Sequence, residues 1–381
     1  MINHFRDFIK RCKRSLKRYG VILFVSRFIK KVMILVYNNT LGRVILGVSG
    51  FVDRRQRLNI ADNKTLYSFY DLKVSPPTYD FVSFLMLTEF KRIEMKCERT
   101  VVVFVPGQKN GFRNDDLVLY DLENHKWRLR NILAQCVWLF PANTCMFCST
   151  RQDVAMLKKY FVKYIYPEDY NVLFPIEGYS FFHILKNFNS EKHRLSITIS
   201  LEAKKYLDEW IRTMVGNKKI IAITLRESTY ETARNSNLNE WSKFIQALDK
   251  NIYFPVILRD LEKDMLEISP ILGDVTVFHA PVWNIEIRAA FYEKSYLNMM
   301  VNNGPAIVAY ANEKTRLLLF KMVTEKYGAT NELFFKSIGM PIGTQPKFFT
   351  RYQKIVWKDD DYEVLQQEFN EMCNLIESNK I

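Results

Sequence analysis

The sequence predicts an α/β protein of two halves, each built on a parallel sheet, behind a basic amphipathic helical extension. Three observations predict it. Apolar, β-prone runs such as Thr100–Val105 and Ile220–Leu225 stop abruptly at polar loops, the pattern of strands buried on both faces. Helical periods separate those runs, and a strand–helix alternation favours a parallel sheet with helices on both faces. With 381 residues, the chain has room for two cores of ordinary domain size.

In chain order, Thr100–Val105 is the clearest strand of the first half and ends at Pro106-Gly107 and a polar loop containing Asp115 and Asp116. Arg151–Phe161 reads as a helix. Leu201–Met214 is amphipathic, with Leu201, Ala203, Tyr206, Leu207, Trp210, Ile211 and Met214 at helical spacing, and Gly216-Asn217 stops it. The halves are therefore expected at 58–215 and 216–381. The second half alternates regularly: strand Ile220–Leu225, helix Leu238–Leu248, strand Tyr253–Leu258, strand Val275–His279, helix Asn284–Tyr296, then strands at Asn298–Val301 and Leu317–Phe320. An amphipathic helix over Tyr362–Glu377 closes the chain.

The net charge of +14 suggests a nucleic-acid binder until its distribution is considered. Residues 1–57 hold 14 Lys/Arg against 2 acids, a net +12, whereas the rest carries 41 basic and 39 acidic residues, a net +2. On a helix, Phe5, Phe8 and Ile9 share one arc with Cys12, Leu16 and Tyr19, while Lys10, Arg14, Lys17 and their basic neighbours cover the other side. The apolar stretch after Gly20 is interrupted by Arg27, Lys30 and Lys31, which is costly for a spanning helix. Residues 1–57 thus read as helices lying on an anionic membrane surface, peripheral and on the cytoplasmic side of the inner membrane. Their aromatic residues sit on the apolar face instead of alternating with the cations, so nucleic acid is not an expected partner.

Six scattered cysteines fit a reduced compartment better than a disulfide framework. Cys145 and Cys148 form a lone CxxC, read as packed thiols, and Asp359-Asp360-Asp361 reads as charge at a helix start. No GxxxxGK[ST], GxGxxG or GxSxG occurs, so the common phosphate-loop, dinucleotide and hydrolase signatures are absent. No metal site and no resident cofactor are expected.

The candidate centre is the end of Ile220–Leu225. Buried parallel strands end where ligands bind. Arg226 and Glu227 follow directly, then Arg234, Asn235, Ser236 and Asn237. A guanidinium there can grip a phosphate bidentately. Asn237, with Glu240 three residues on, also matches a capping box for the next helix. Asn302-Asn303-Gly304-Pro305 is a second turn of the same kind, with Gly304 allowing close approach of the backbone to a ligand.

A basic anchor, two α/β halves and a closing helix resemble GT-B-fold glycosyltransferases, which have two Rossmann-like domains. The segment Ile223-Thr224-Leu225-Arg226-Glu227 is similar to the strand-end Arg motif of fucosyltransferase-like members, with Thr224 and Glu227 in the flanking places. Asn302-Asn303-Gly304-Pro305 is similar to the Gly-rich turn beside the donor in many GT-B enzymes. The resemblance implies sugar transfer from a nucleotide-sugar, held by the second half, to a cell-surface glycan or lipid-linked acceptor held by the first, without an obligatory metal. That suits bacterial polysaccharide biosynthesis. The resemblance further implies that Arg259 or Arg288 adds to the charge facing the diphosphate, and that a base for the acceptor hydroxyl is found at Asp115 or Asp116, with His279, which ends a strand, a further candidate for proton transfer. A nucleotide-sugar epimerase or hydrolase, or a non-catalytic nucleotide- or sugar-binding module, would carry similar features.

Overall fold

The computed structural model describes residues 64–107, 111–113, 121–160, 162–176, 181–193 and 195–378. The basic extension, including Phe5, Phe8, Ile9, Lys10, Arg14 and Lys17, lies outside the described residues, as do Asp115 and Asp116. Among the described residues no helix is long and apolar enough to cross a membrane.

Two all-parallel sheets organise the chain. The first contains β1 (Thr65–Asp71), β2 (Arg99–Val105), β3 (Asn143–Phe147) and β4 (Tyr164–Tyr166) in the order β3-β2-β1-β4. The second contains β5 (Lys219–Thr224), β6 (Tyr253–Leu258), β7 (Thr276–Val277), β8 (Leu297–Val301), β9 (Leu317–Phe320) and β10 (Gln353–Ile355) in the order β10-β9-β8-β5-β6-β7. The architecture is therefore two Rossmann-like α/β units, as the alternation predicts.

Strand residues alternate between two cores, as a period of two requires. In β2, Val102 and Phe104 join one buried cluster, while Val103 and Val105 pack with Phe69 and Tyr170 on the opposite face. In β5, Ile220 and Ala222 face the first of these clusters, and Ile221 and Ile223 face a separate core around Trp241 and Phe244. The first cluster takes residues from both sheets, so the halves share one continuous apolar interior. The helix Leu201–Met214 packs on Ile285–Lys294 of the second half, with Trp210 stacked on Phe278 at 3.9 Å. The closing helix Tyr362–Glu377 packs on Leu238–Ala247 through Phe369 and Phe244, whose rings are 5.4 Å apart.

Three local readings are corrected. The strand expected over Val275–His279 is only Thr276–Val277, an edge strand, because His279 already stands at the head of the helical turn Ala280–Trp283. The helix expected over Asn284–Tyr296 is Ile285–Lys294, with the Asn284 side chain capping Ile287 N. The capping box at Asn237 does not form. Asn237 N donates instead to Asp360 Oδ2 at 2.7 Å, and Glu240 accepts from Tyr362 N at 3.0 Å.

Asp360 is consequently more than a helix-start charge. Buried, it accepts from Asn237 N, from Trp241 Nε1 at 2.8 Å and from Lys321 Nζ at 3.1 Å. It ties β9, the closing helix and the loop after β5 together. Asp360→Ala leaves two N–H donors without their acceptor and should destabilise the protein by about 2–4 kcal/mol. A denaturant titration checks this, and a loss under about 0.5 kcal/mol, the range of an ordinary surface substitution, contradicts the anchoring role.

Candidate functional site

In each sheet the chain reverses its direction of growth. The second sheet extends from β5 to β6 and β7 on one side and to β8, β9 and β10 on the other. Such switch points open a crevice beyond the carboxyl ends of the strands. A cleft of about 290 Å³ lies there, walled by both halves. Thr78, Tyr79, Asp80, Trp127, Arg128 and Asn131 come from the first, and Arg226, Arg234, Arg259, Asp260, Arg288 and Gly304 from the second. Among the described residues five arginines face three carboxylates (Asp80, Asp260 and Glu262), which favours an anionic ligand.

The arginines are not equivalent. Arg226, which follows β5, turns its guanidinium back on its own loop. Nη1 donates to Glu231 O at 3.1 Å and to Asn235 Oδ1, and Nη2 donates to Tyr230 O at 2.7 Å. Its backbone N–H donates to Ser236 Oγ at 3.0 Å. Glu231, at φ +50°, is held in the left-handed region by these bonds. Arg226, Asn235 and Ser236 therefore shape the loop bordering the cleft. Arg259 is likewise committed: Nε and Nη2 grip Glu227 bidentately at 2.7 and 2.8 Å, and Nη1 donates to Leu266 O at 2.7 Å. Glu227 is thus the counter-ion of Arg259, and neither it, Asn235 nor Ser236 lines the cleft.

Arg288 differs. It is 2% exposed, on the helix Ile285–Lys294, and donates Nε to Pro281 O at 2.8 Å and Nη1 to Tyr292 Oη at 3.0 Å. Tyr292 in turn bonds Thr224 at the end of β5. Of its five N–H groups, three have no partner among the described residues, although the side chain lines the cleft. Arg234 is similar in part. It pairs with Glu231 and donates Nη2 to Asn302 O at 3.3 Å, while its buried Nε has no partner among the described residues. A buried guanidinium with open donors is costly unless a ligand completes it.

Asp260, directly after Arg259 at the end of β6, accepts from Glu227 N at 2.7 Å. Burial pushes its carboxyl above the usual range, against the opposing pull of that backbone bond and of Arg226 and Arg288. A folded-state pKa above the unfolded value means a stability contribution complete at low pH and lost as pH rises through the raised value. Asp260→Asn should therefore flatten the pH dependence of the melting temperature above about pH 4; an unchanged profile contradicts this.

Gly304 works through space, not through a special φ. A Cβ placed on it would lie 3.0 Å from Tyr79 Cδ2 and 3.4 Å from Tyr79 Cβ. The two halves touch here, at the rim of the cleft. Gly304→Val should wedge Tyr79 away and cost about 1–3 kcal/mol, as overpacking does. A melting temperature equal to the wild type contradicts the contact.

Arg226, Arg234, Arg259, Arg288, Asn303, Gly304 and Pro305 thus meet in one cleft, and Asn302 lines a cavity adjoining it. His279 does not line it. Its Nδ1 lies 3.0 Å from buried Asp264, which also accepts from Trp283 Nε1 at 2.7 Å, so the ring is fastened beside the edge strand. Cys145 packs toward the core shared by the halves and Cys148 toward the opposite face, and burial pushes both thiols upward. Among the described residues no group of three or more His, Cys, Asp or Glu is arranged to hold a metal ion.

Sequence reasoning sought the first half's carboxylate at Asp115 and Asp116, outside the described residues, and passed over Asp80. Among the described residues Asp80 is the one carboxylate that half places in the cleft, just before the helix Phe81–Glu94, with Thr78 Oγ1 donating to its Oδ2 at 3.1 Å. The available signal was Ser75-Pro76-Pro77-Thr78-Tyr79-Asp80, a turn between the apolar runs of β1 and that helix.

No family model matches the chain, and no curated protein matches it. Among solved structures it is similar to a glycosyl transferase family 9 protein from Veillonella parvula DSM 2008. The identity is 13% and the TM-score 0.42, over 81% of this chain and 90% of that one. It is also similar to the E. coli heptosyltransferase WaaC with ADP-2-deoxy-2-fluoro heptose, at 10% identity and TM-score 0.43 over 81% and 99% of the two chains. The wall teichoic acid polymerase TagF aligns at 10% identity and TM-score 0.30 over 92% of each. Likeness this distant assigns no chemistry to the present chain.

Proposed function

We propose that the protein is a glycosyltransferase that moves a sugar from a nucleotide-sugar donor to an acceptor hydroxyl in the cleft between its halves. The observation that carries this is the pairing of buried Arg288, with open N–H donors, on one wall and Asp80 on the other. The donor diphosphate lies against Arg288, a fixed cation able to stabilise the departing diphosphate without a metal. The acceptor enters along Thr78–Trp127 of the first half. Asp80 takes the proton of the acceptor hydroxyl as its oxygen bonds to the sugar carbon, and the broken glycosyl–oxygen bond leaves its electron pair on the diphosphate.

Within this reading, Arg226 and Arg259 keep the donor loops in shape, and residues 1–57 bring the enzyme to the anionic cytoplasmic face of the membrane, where a glycan or lipid-linked acceptor is built. Calorimetry with UDP-, GDP-, ADP- and CMP-sugars tests the donor. At least one should bind, and the absence of binding by all four overturns the proposal. Flotation with anionic and neutral liposomes tests the extension, since only the anionic vesicles should carry the full chain.

A further inference from the structure

A second cavity, of about 390 Å³, opens beside the cleft and shares Tyr79, Asp80, Arg234, Asn303 and Gly304 with it. Beyond that shared neck its walls change character: Ile307, Leu319, Met322, Phe334 and Phe349 are apolar or aromatic. The volume lies at the low end of small-ligand sites. At the neck stand two buried donors without partners among the described residues, Arg234 Nε and Asn303 Nδ2. Asn303 is 8% exposed, and its Oδ1 accepts from Ala306 N at 2.9 Å, which fixes the amide so that the NH₂ is left unpaired. Thr330, on the cavity wall, already donates its hydroxyl to Thr324 O at 3.2 Å.

We propose that this cavity receives an apolar chain whose oxygen-bearing head, phosphate-like in chemistry, meets Arg234 Nε and Asn303 Nδ2 at the neck. Two donors suit one acceptor head and an apolar remainder. The several donors and acceptors on a nucleobase edge would find fewer partners, since beyond the neck Ser83, Asn302, Tyr310 and Thr330 are the polar residues on an otherwise apolar wall. Resting on the transferase reading, the occupant is the lipid-like part of the acceptor, with its reacting end directed into the cleft near Asp80.

The test is calorimetry of the full chain with ethyl phosphate and n-octyl phosphate, the latter below its micelle concentration. Six extra methylenes, each able to contribute about 0.8 kcal/mol when buried, should tighten binding at least about 30-fold even if only partly enclosed. Ala329, exposed at the cavity wall, provides a filling variant: Ala329→Trp should abolish the chain-length effect without lowering the melting temperature, and Ile338→Trp serves as a second. Equal affinity for both phosphates in the wild type overturns the proposal, as does a chain-length effect that survives both fillings. Competition by adenosine for the octyl phosphate site would also overturn it, by making the cavity a nucleobase site. Nucleotide-sugar binding is titrated separately; its failure refutes the transferase reading, while the chain-length comparison still decides the cavity.

Discussion

Asp80→Asn should lower sugar transfer by about 10²–10⁴-fold, the usual contribution of a positioned general base, while leaving nucleotide-sugar affinity within about twofold. The asymmetry follows from position. Asp80 belongs to the first half and Arg288 to the second, and loss of the Asp80 carboxylate leaves the Arg288 guanidinium in place. Asn is close to Asp in shape and can still accept from Thr78 Oγ1, so the helix Phe81–Glu94 should keep its start. The measurement is initial-rate transfer beside calorimetry on the same preparations. Equal losses of rate and of donor affinity would place Asp80 in donor binding instead. An unchanged rate would remove it from the chemistry.

Arg288→Met should weaken nucleotide-sugar binding by about 100-fold, in line with the 2–5 kcal/mol lost when one partner of a buried charged contact is removed. Met keeps most of the volume and none of the donors. Tyr292 loses one partner at 3.0 Å but keeps Thr224. Arg226→Met and Arg259→Met provide the contrast. Their guanidiniums hold the loops, so the expected first effect is a lower melting temperature, with weaker binding following from disorder of the loop. A larger fall in affinity for Arg226→Met than for Arg288→Met, at equal stability, would return the diphosphate to Arg226.

Most of the second sheet was legible in the sequence because β5, β8 and β9 are short, buried and nearly free of polar residues, as in Ile220-Ile221-Ala222-Ile223 and Leu297–Val301, whereas β10, with Gln353 and Lys354, was not. The turns at Arg226 and Gly304 were legible for the same reason, as polar residues ending apolar runs. What each arginine does was not legible. A strand-end Arg has the same sequence signature whether it meets a phosphate or a carbonyl of its own loop, and only the folded path of 226–236 decides between them. Arg288 was harder still, since it lies inside a helix whose apolar and polar residues show no sidedness, a helix packed on several sides. Asp80 was missed because β1, Thr65–Asp71, mixes Thr, Ser and Tyr among its apolar residues. No strand was read there from the sequence, yet β1 stands between β2 and β4 with Ser68 wholly buried. Tertiary placement, not local pattern, made it central.

The most direct test is a crystal structure of the protein with whichever nucleotide-sugar binds in calorimetry, or with its nucleoside diphosphate. The diphosphate should lie in the cleft with an oxygen within about 3 Å of an Arg288 guanidinium nitrogen, and the sugar should face Asp80. A diphosphate bound elsewhere, with Arg288 still open to the cleft, would contradict the account.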